Sequence, residues 1–394
     1  MGWNKVALVG VGLIKFGELF DKSFEEMVEE AYLNCINSID KGFDPKDIKA
    51  AWLGECNSRT HGHASISGAA LTGNIGLAGI PCTRVENGCP TGSDAFRNGC
   101  LGVASGVYDV VLVVGAEKMR DDSTANLLNS ATRGHPILMR GETAPSQFAP
   151  LAVRHIYEFG TTKQQLAMVA VKNRANGALD PYSHNQSPIT IEDVLNSPMV
   201  CLPFGLFDCC PQTDGAAAAI LVRADLAKKY TDKPVYIAGF GMGTDTFYIH
   251  EKESFTEFVA TVRAAKQAYA MAGIGPQDLD LAEVHDCFSW TEIVDYEDLG
   301  FCPKGQGGKF VEQGHSKIGG KLPVNASGGL LSKGHPLGAT GVAQMCELFW
   351  QLRQEVPKQN PKRQVEIKKG YGLQHNVGGR GISNSVVTIL SINP

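Results

Sequence analysis

Four short apolar segments, separated by stretches with helical spacing, most strongly constrain the fold of this chain. Each segment is a continuous run of small and β-branched residues, which is typical of strands buried on both faces. The segments lie at residues 6–12, 110–116, 216–222 and 235–241. Helix-spaced apolar positions occupy residues 93–106 and 257–272. Strands that alternate with helices in this way predict a layered α/β fold.

The order of features repeats across a division near Pro234. Each half opens with a strand that reads V-x-x-x-G-x-G, continues into a long helix and ends near a valine-rich strand. The first half is longer, and its surplus lies between Lys118 and Pro211, where the valine-rich runs stop. We therefore predict two similar halves and an inserted loop domain. The predicted boundaries are 1–117 plus 211–233 for the first half, 118–210 for the loop domain and 234–394 for the second half.

The glycines of the first strand admit two interpretations. Gly10-Val11-Gly12 could begin a dinucleotide-binding loop, but Lys15 stands where that motif requires a third glycine, and no helix opens directly afterwards. We expect a tight turn at the exit of the strand instead.

Composition narrows the class of protein. The net charge of −5 argues against nucleic acid as the main partner. The 11 cysteines contain no CxxC pair and are too few for a disulfide scaffold, which indicates reduced thiols. No apolar run approaches the roughly 18 residues of a membrane-spanning helix. We expect a cytoplasmic protein without a membrane span.

Cys89 lies in a setting that suits a nucleophile. It follows a strand-like segment and a turn, and it precedes Pro90, a residue favoured at the first position of a helix. Unpaired amides and the helix dipole at such a position favour a thiolate. The alternative is an inert buried thiol, because free cysteines are commonly buried.

A nucleophilic cysteine needs a base and a site for an oxyanion. Three histidines lie next to strand ends, helix entrances or glycine turns: His285 in AEVHDCF, His335 in SKGHPLG and His375 in GLQHNVGG. Each of them alone could be a structural or surface histidine. Together with Cys89, they indicate a catalytic group.

These four elements resemble the active-site loops of the thiolase superfamily. The motif HDCF at 285–288 stands where ordinary thiolases have Asn-Glu-Ala-Phe, and it is typical of the sterol carrier protein X-type branch with its bacterial and archaeal relatives. The motif GHP at 334–336 and the glycine turn at 378–381 complete the likeness. The resemblance implies a five-layered αβαβα fold, made of two similar halves, and an obligatory homodimer.

The resemblance also implies a role for each site residue. Cys89 would attack a 3-oxoacyl-CoA and hold the acyl group as a thioester. His335 would accept the thiol proton and help to bind the substrate thioester oxygen, and His285 would donate a second hydrogen bond to that oxygen. The backbone amides of Cys89 and Val377 would hold the oxyanion of the tetrahedral adduct.

One position departs from the pattern of ordinary thiolases, which carry a second cysteine at the head of the last glycine turn. Counting back along this sequence places His375 there. In the HDCF branch the cysteine of the motif, here Cys287, is the proposed acid that protonates the leaving enolate. His375 could share this role or could be a structural residue that caps the turn.

Other polar residues have weaker interpretations. Cys209 and Cys210 lack the spacing of a zinc site, and we expect no bound metal and no tightly bound cofactor. His61 and His63 are expected at the surface. Basic residues of the loop domain could meet the phosphates of coenzyme A, the expected co-substrate, and those singled out are Lys172 and Arg174.

The leading hypothesis is thiolysis of a 3-oxoacyl-CoA by coenzyme A, or the reverse Claisen condensation. The alternatives are a ketoacyl synthase-like enzyme, a retro-aldolase of the same fold and a non-catalytic scaffold or lipid-binding subunit. Several bacterial and archaeal relatives in the HDCF branch act with a small partner protein that has a zinc ribbon and an OB-fold, so the resemblance raises the expectation of such a partner here. The sequence does not identify the acyl group that the enzyme accepts. The expected setting is lipid or aromatic acid metabolism.

Overall fold

The computed structural model describes residues 3–56, 67–123 and 141–394. Eleven strands lie within these ranges: β1 Val6–Leu13, β2 Ala50–Gly54, β3 Cys82–Val85, β4 Val110–Glu117, β5 Met199–Cys201, β6 Phe204–Gly205, β7 Gly215–Arg223, β8 Val235–Thr244, β9 Leu281–Glu283, β10 Tyr371–Gly378 and β11 Asn384–Ser391. The four strands predicted from the sequence are confirmed as β1, β4, β7 and β8.

Twelve α-helices lie within the same ranges: α1 Phe24–Asn37, α2 Gly68–Asn74, α3 Thr91–Ala104, α4 Ala144–Phe159, α5 Lys163–Gly177, α6 Ile191–Leu195, α7 Ala227–Tyr230, α8 Val259–Ala272, α9 Ser289–Asp298, α10 Gly307–Glu312, α11 Gly329–Lys333 and α12 Leu337–Leu352. The two predicted helices are confirmed as α3 and α8. None of the helices in the described ranges is both long and apolar enough to cross a membrane.

Nine strands form one hydrogen-bonded sheet in the order β3-β2-β4-β7-β1-β8-β11-β10-β9. The first five belong to the first half of the chain and the last four to the second half. The halves meet where β1 and β8 pair antiparallel over only two residue pairs, Ala7 with Tyr236 and Leu8 with Val235. This short junction leaves the two halves of the sheet free to enclose helices between them.

Helices and sheet halves stack in five layers, as the αβαβα prediction requires. Helix α1 packs on the outer face of the first half, against β1 and β7. Helices α3 and α12 lie in the middle, where both contact strands of both halves and share one apolar core with them. Helix α8 covers the far face, against β8 and β11.

The glycines of β1 serve helix packing, which corrects the expectation of a tight turn. The strand continues through Gly10 and Gly12 to Leu13. A Cβ atom on Gly12 would collide with the backbone oxygen of Ala31 in α1, so glycine lets helix and strand approach closely. In the second half, a Cβ on Gly239 would lie 2.5 Å from the Ala268 oxygen of α8. In both halves the repeated glycine motif therefore lets a helix pack closely on the strand.

The segment between β4 and β7 contributes no strand to the large sheet within the described residues. It holds α4, α5 and α6 and the two-stranded sheet of β5 and β6. The aromatic side chains of Phe204 in this segment and Phe288 in the second half stack with ring centroids 4.7 Å apart. The domain boundaries themselves stay a prediction.

Candidate active site

The first turns of α3 and α12 meet in the central layer, and this contact brings Cys89 and His335 together. A Cβ on Gly92 of α3 would lie 3.2 Å from the Gly341 nitrogen of α12, so the two helices touch through glycines. Cys89 stands just before Pro90, the N-cap of α3, and His335 stands just before Pro336, the N-cap of α12. Helix α12 is buried from Gly338 to Leu352 and fixes this crossing.

Cys89 also packs against the last glycine turn. A Cβ on Gly378 would lie 2.6 Å from both Sγ and Cβ of Cys89. A Cβ on Gly88 would lie 2.6 Å from the Cα of Gly379. Only glycines leave room for the two loops to approach in this way, so the motif at 378–381 supplies space as well as backbone groups.

Burial decides the protonation of the Cys89 thiol. It raises the pKa of the thiol to about 11, more than a hydrogen bond from the Gly379 backbone lowers it. The helix entrance predicted for Cys89 is confirmed, but Pro90 is the N-cap rather than the first helical residue. The resting thiol is therefore protonated, and its activation requires a base.

The Gly379 hydrogen bond also bears on the predicted oxyanion site. The prediction places one amide donor near Val377, whereas the backbone group that reaches the Cys89 sulfur belongs to Gly379, two residues further on. Val377 lies within β10 and pairs with Ser385 of β11. The amides of Cys89 and Val377 stay the predicted oxyanion donors, and the backbone of Gly379 is a further candidate.

Two histidines complete the group around the thiol. Cys89 Sγ and one ring nitrogen each of His285 and His335 lie within 4.8 Å of one another. The two rings are 4.9 Å apart between centroids and nearly perpendicular. Burial lowers the pKa of His335 to about 3, and burial and the neighbouring His335 lower the pKa of His285 well below its usual range. Both imidazoles are therefore neutral at physiological pH.

Each imidazole is held through its Nδ1 atom. His335 Nδ1 lies 2.7 Å from Thr340 Oγ1, and His285 Nδ1 lies 3.3 Å from Asn376 Nδ2. Both Nε2 atoms are buried without a hydrogen-bond partner among the described residues. A buried polar atom without a partner is costly, and a substrate oxygen or the thiol proton can satisfy these two.

Cys287 lies in the same buried region. Its Sγ is 4.0 Å from Thr291 Oγ1, and its backbone oxygen accepts a hydrogen bond from Cys210 at 3.0 Å. Burial raises the pKa of the Cys287 thiol well above its usual range, and the nearby thiols of Cys210 and Cys89 raise it further. A protonated thiol at this place suits a proton donor, and the acid role stays a prediction.

His375 points away from this group. Successive side chains of a strand face opposite sides, so His375 and the neighbouring Asn376 cannot both face the site. The Nε2 atom of His375 contacts Thr261 Oγ1 at 3.0 Å, and its Nδ1 lies 3.5 Å from Asp295. Burial lowers its pKa to about 3. The structure thus brings together Cys89, His285 and His335 and places His375 in a separate buried network.

Sequence reasoning missed the carboxylate that ties the HDCF motif to the GHP loop. Asp286 is fully buried and accepts hydrogen bonds from the backbone nitrogens of Leu330 and Leu331 at 2.6 and 3.1 Å. Its third partner is Asn173 of the loop domain, at 2.7 Å. These bonds hold α11, which leads directly to His335. The signal in the sequence was the acidic residue that follows His285 in the HDCF motif.

The coenzyme A contact suggested for Lys172 is wrong. Lys172 is only 5% exposed, and its ammonium group is bound by Val324 O and Glu292 Oε1, both at 2.7 Å. It is therefore a structural cation of α5. Arg174 is partly exposed and bonds the Ser187 carbonyl at 3.0 Å. His61 and His63 lie outside the described residues.

Comparisons with known proteins assign this architecture and site to one family. The family model "Thiolase, N-terminal domain" matches residues 6–194, and "Thiolase C-terminal domain-like" matches residues 241–392. An acetyl-CoA acetyltransferase of Methanothermobacter thermautotrophicus is 44% identical, over 95% of this chain and 97% of its own length.

Two further likenesses refine the assignment. Sterol carrier protein 2 of Bos taurus is 36% identical, over 98% of this chain and 72% of its own length. The solved structure of an "Ltp2-ChsH2(DUF35) aldolase" is 25% identical, with a TM-score of 0.84 and 99% of each chain covered. This chain therefore belongs to the thiolase superfamily, in its sterol carrier protein X-type branch, and is an acyltransferase of that family.

Proposed function

We propose that the chain transfers an acyl group between a 3-oxoacyl-CoA and coenzyme A through a thioester on Cys89. The observation that carries this proposal is the group of one thiol and two imidazole nitrogens within 4.8 Å. A thiol, a base and a hydrogen-bond donor at one point are what acyl transfer through cysteine requires. Coenzyme A serves as the co-substrate.

The first half-reaction cleaves a carbon–carbon bond. His335 takes the proton from Cys89 Sγ while the sulfur attacks the 3-oxo carbon, and the predicted backbone amides hold the resulting oxyanion. The adduct collapses, the bond between C2 and C3 breaks, and its electron pair forms the enolate of the departing thioester. His285 donates to the enolate oxygen, and the Cys287 thiol protonates C2.

The second half-reaction releases the acyl group. The Cys287 thiolate left by the first half-reaction takes the proton of the coenzyme A thiol, whose sulfur attacks the Cys89 thioester. Cys89 leaves as a thiolate and recovers its proton from His335. The same steps in reverse form a carbon–carbon bond by Claisen condensation. The neutral imidazoles and protonated thiols of the resting site allow both directions.

The decisive experiment is mass spectrometry of the intact protein after incubation with acetoacetyl-CoA and an acid quench. We expect an added acetyl group on Cys89, absent from Cys89→Ala and present in the control variant Cys302→Ala, whose cysteine lies outside the site. Acyl transfer that persists in Cys89→Ala would contradict the proposal.

Retro-aldol cleavage is the second candidate, because the solved structure with a TM-score of 0.84 is that of an aldolase. An aldolase splits a 3-hydroxyacyl-CoA without coenzyme A and without an acyl-enzyme. Incubation with such a substrate in the absence of coenzyme A separates the two activities. The thiol beside the two imidazoles favours the thiolase reaction.

The assembly proposal is supported by the edges of the sheet and by the comparisons. We expect a homodimer, and β3, which ends the large sheet among the described residues, is the strand that we expect to face the second copy. The name of the aldolase, Ltp2-ChsH2(DUF35), lists a DUF35 component beside Ltp2. A small zinc-ribbon and OB-fold partner, which the family resemblance implies, is part of the proposal. A cytoplasmic location stays an expectation from the sequence.

A partner also bears on the scaffold alternative. Co-purification with the product of a neighbouring gene, followed by the acetyl-transfer assay, tests both questions. If the two proteins together bind lipid but transfer no acyl group, the chain is a scaffold. The accepted acyl group is found by screening short, branched, sterol-derived and aromatic acyl-CoA thioesters.

A further inference from the structure

We propose that Thr340 and Asn376 are positioning residues that hold the two site imidazoles in opposite tautomers. The Nε2 atom of His335 is unprotonated and can accept a proton, whereas the Nε2 atom of His285 is protonated and can donate a hydrogen bond. The inference deepens the proposed function, on which its catalytic consequences rest, but the tautomers themselves follow from hydrogen-bond geometry and from the burial that keeps both rings neutral.

The tautomer of His335 is fixed by a chain of two hydrogen bonds. Thr340 Oγ1 donates to the backbone oxygen of Pro336 at 2.9 Å, and a carbonyl oxygen can only accept. A hydroxyl has a single proton, so Thr340 Oγ1 has none left for the histidine. The contact of 2.7 Å with His335 Nδ1 is therefore donated by the imidazole. With its one proton on Nδ1, neutral His335 has a lone pair on Nε2.

The tautomer of His285 depends on the orientation of the Asn376 amide, which its surroundings fix. The Nδ2 atom lies 2.8 Å from the backbone oxygen of His375, an atom that only accepts. The Oδ1 atom accepts from Ser93 Oγ at 2.8 Å. The amide nitrogen is therefore on the side that faces His285.

Gln344 reinforces this orientation. Its Nε2 donates to the Val284 carbonyl at 3.1 Å, so its Oε1 faces Asn376 and accepts from Nδ2 at 2.8 Å. An amide nitrogen offers no lone pair to an imidazole N–H. Both Nδ2 protons already have oxygen acceptors, so His285 Nδ1 at 3.3 Å shares one of them in a bifurcated hydrogen bond. A proton on His285 Nδ1 would face an amide nitrogen that cannot accept it, and the single proton of neutral His285 is therefore on Nε2.

Opposite tautomers match the two tasks at the site. Removing the Cys89 proton requires an acceptor, which the bare Nε2 of His335 provides. Stabilising an enolate oxygen requires a donor, which the Nε2–H of His285 provides. Because the Nδ1 atoms are engaged by Thr340 and Asn376, the Nε2 atoms are the ones left free to face the thiol. Two identical tautomers would leave either the base or the donor missing.

Nitrogen NMR of histidine-labelled protein tests the tautomers directly. The ¹⁵N shift separates a protonated ring nitrogen from a bare one, and resonances of the two residues are identified by their loss in His285→Asn and His335→Asn. We expect a protonated Nδ1 in His335 and a protonated Nε2 in His285. The same tautomer in both residues, or an imidazolium at pH 7, would overturn the inference.

Paired variants test the consequences separately. Thr340→Val removes the acceptor for His335 Nδ1–H at nearly constant volume, and Thr340→Ser retains it. We expect single-turnover acylation of Cys89 by acetoacetyl-CoA to slow about 10-fold in the valine variant, less than the roughly 100- to 10,000-fold contribution of a general base because the imidazole itself remains, and to recover in the serine variant. An unchanged rate in the folded valine variant would contradict the role of Thr340.

Asn376→Asp replaces the amide by a carboxylate, which only accepts and so draws the His285 proton to Nδ1. We expect turnover of acetoacetyl-CoA to fall about 100-fold, as for the loss of an oxyanion donor, with little change in KM for coenzyme A and in the rate of Cys89 alkylation. Equal losses of alkylation and turnover in both variants would show a general structural defect and overturn the assignment. If the wild type transfers no acyl group, the proposed function fails, and the NMR result still decides the tautomers.

Discussion

The reactivity of Cys89 should rise steeply with pH, because the resting site holds a thiol rather than a thiolate. Burial raises the pKa of Cys89 to about 11. At pH 8 this value leaves on the order of 1 in 1000 molecules ionised, whereas an unperturbed cysteine with a pKa of about 8.5 is roughly one quarter ionised. Native Cys89 should therefore react about 200-fold more slowly with iodoacetamide than the same cysteine in the unfolded chain.

The assay follows alkylation of the peptide that contains Cys89 by mass spectrometry, at pH values from 6.5 to 9.5, in native protein and in urea. The native rate should increase about tenfold per pH unit over the whole range, whereas the rate in urea should level off above its ordinary pKa. A native rate that is fast and flat between pH 6.5 and 8 would refute the reasoning. It would mean that a thiolate paired with protonated His335 is the resting state.

Other predictions concern packing and charge. Gly378→Ala places a Cβ 2.6 Å from Cys89 Sγ and should lower both turnover, at least 10-fold, and the melting temperature, whereas Gly73→Ala, which meets nothing within 4 Å, should lower neither. Arg363→Met removes the cation that lies 2.5 and 3.3 Å from the buried carboxylates of Glu347 and Asp180. It should lower the free energy of unfolding in urea by about 3–5 kcal/mol. Because the pKa of Cys89 is raised on folding, the folded state binds the thiol proton more tightly than the unfolded state. The stability that this proton contributes is complete below about pH 8.5 and is lost as the pH rises towards 11. Cys89→Ala should reduce this loss, as measured by urea unfolding at pH 8 and 10.

The layered fold could be predicted from the sequence because buried strands and amphipathic helices leave distinct periodicities. The runs that became β1, β4, β7 and β8 are apolar throughout, since helices cover both faces of the sheet. The role of the glycine motif could not be predicted in the same way. A glycine that admits a helix and a glycine that admits a turn look alike in one sequence, and only the contact between Gly12 and Ala31 separates them.

Some site residues could be predicted from local motifs, whereas others depend on contacts between segments distant in sequence. Motif spacing pointed to Cys89, His285 and His335, which the structure brings together, but it also pointed to His375, and the choice between His375 and Asn376 depends on strand register. Gly378 touches Cys89, so the side chain two residues earlier on β10 faces the same way, and that residue is Asn376. The pairing of β10 with β9 and β11 sets this register through contacts distant in sequence. An amide, rather than the neighbouring imidazole, therefore holds His285 beside the thiol.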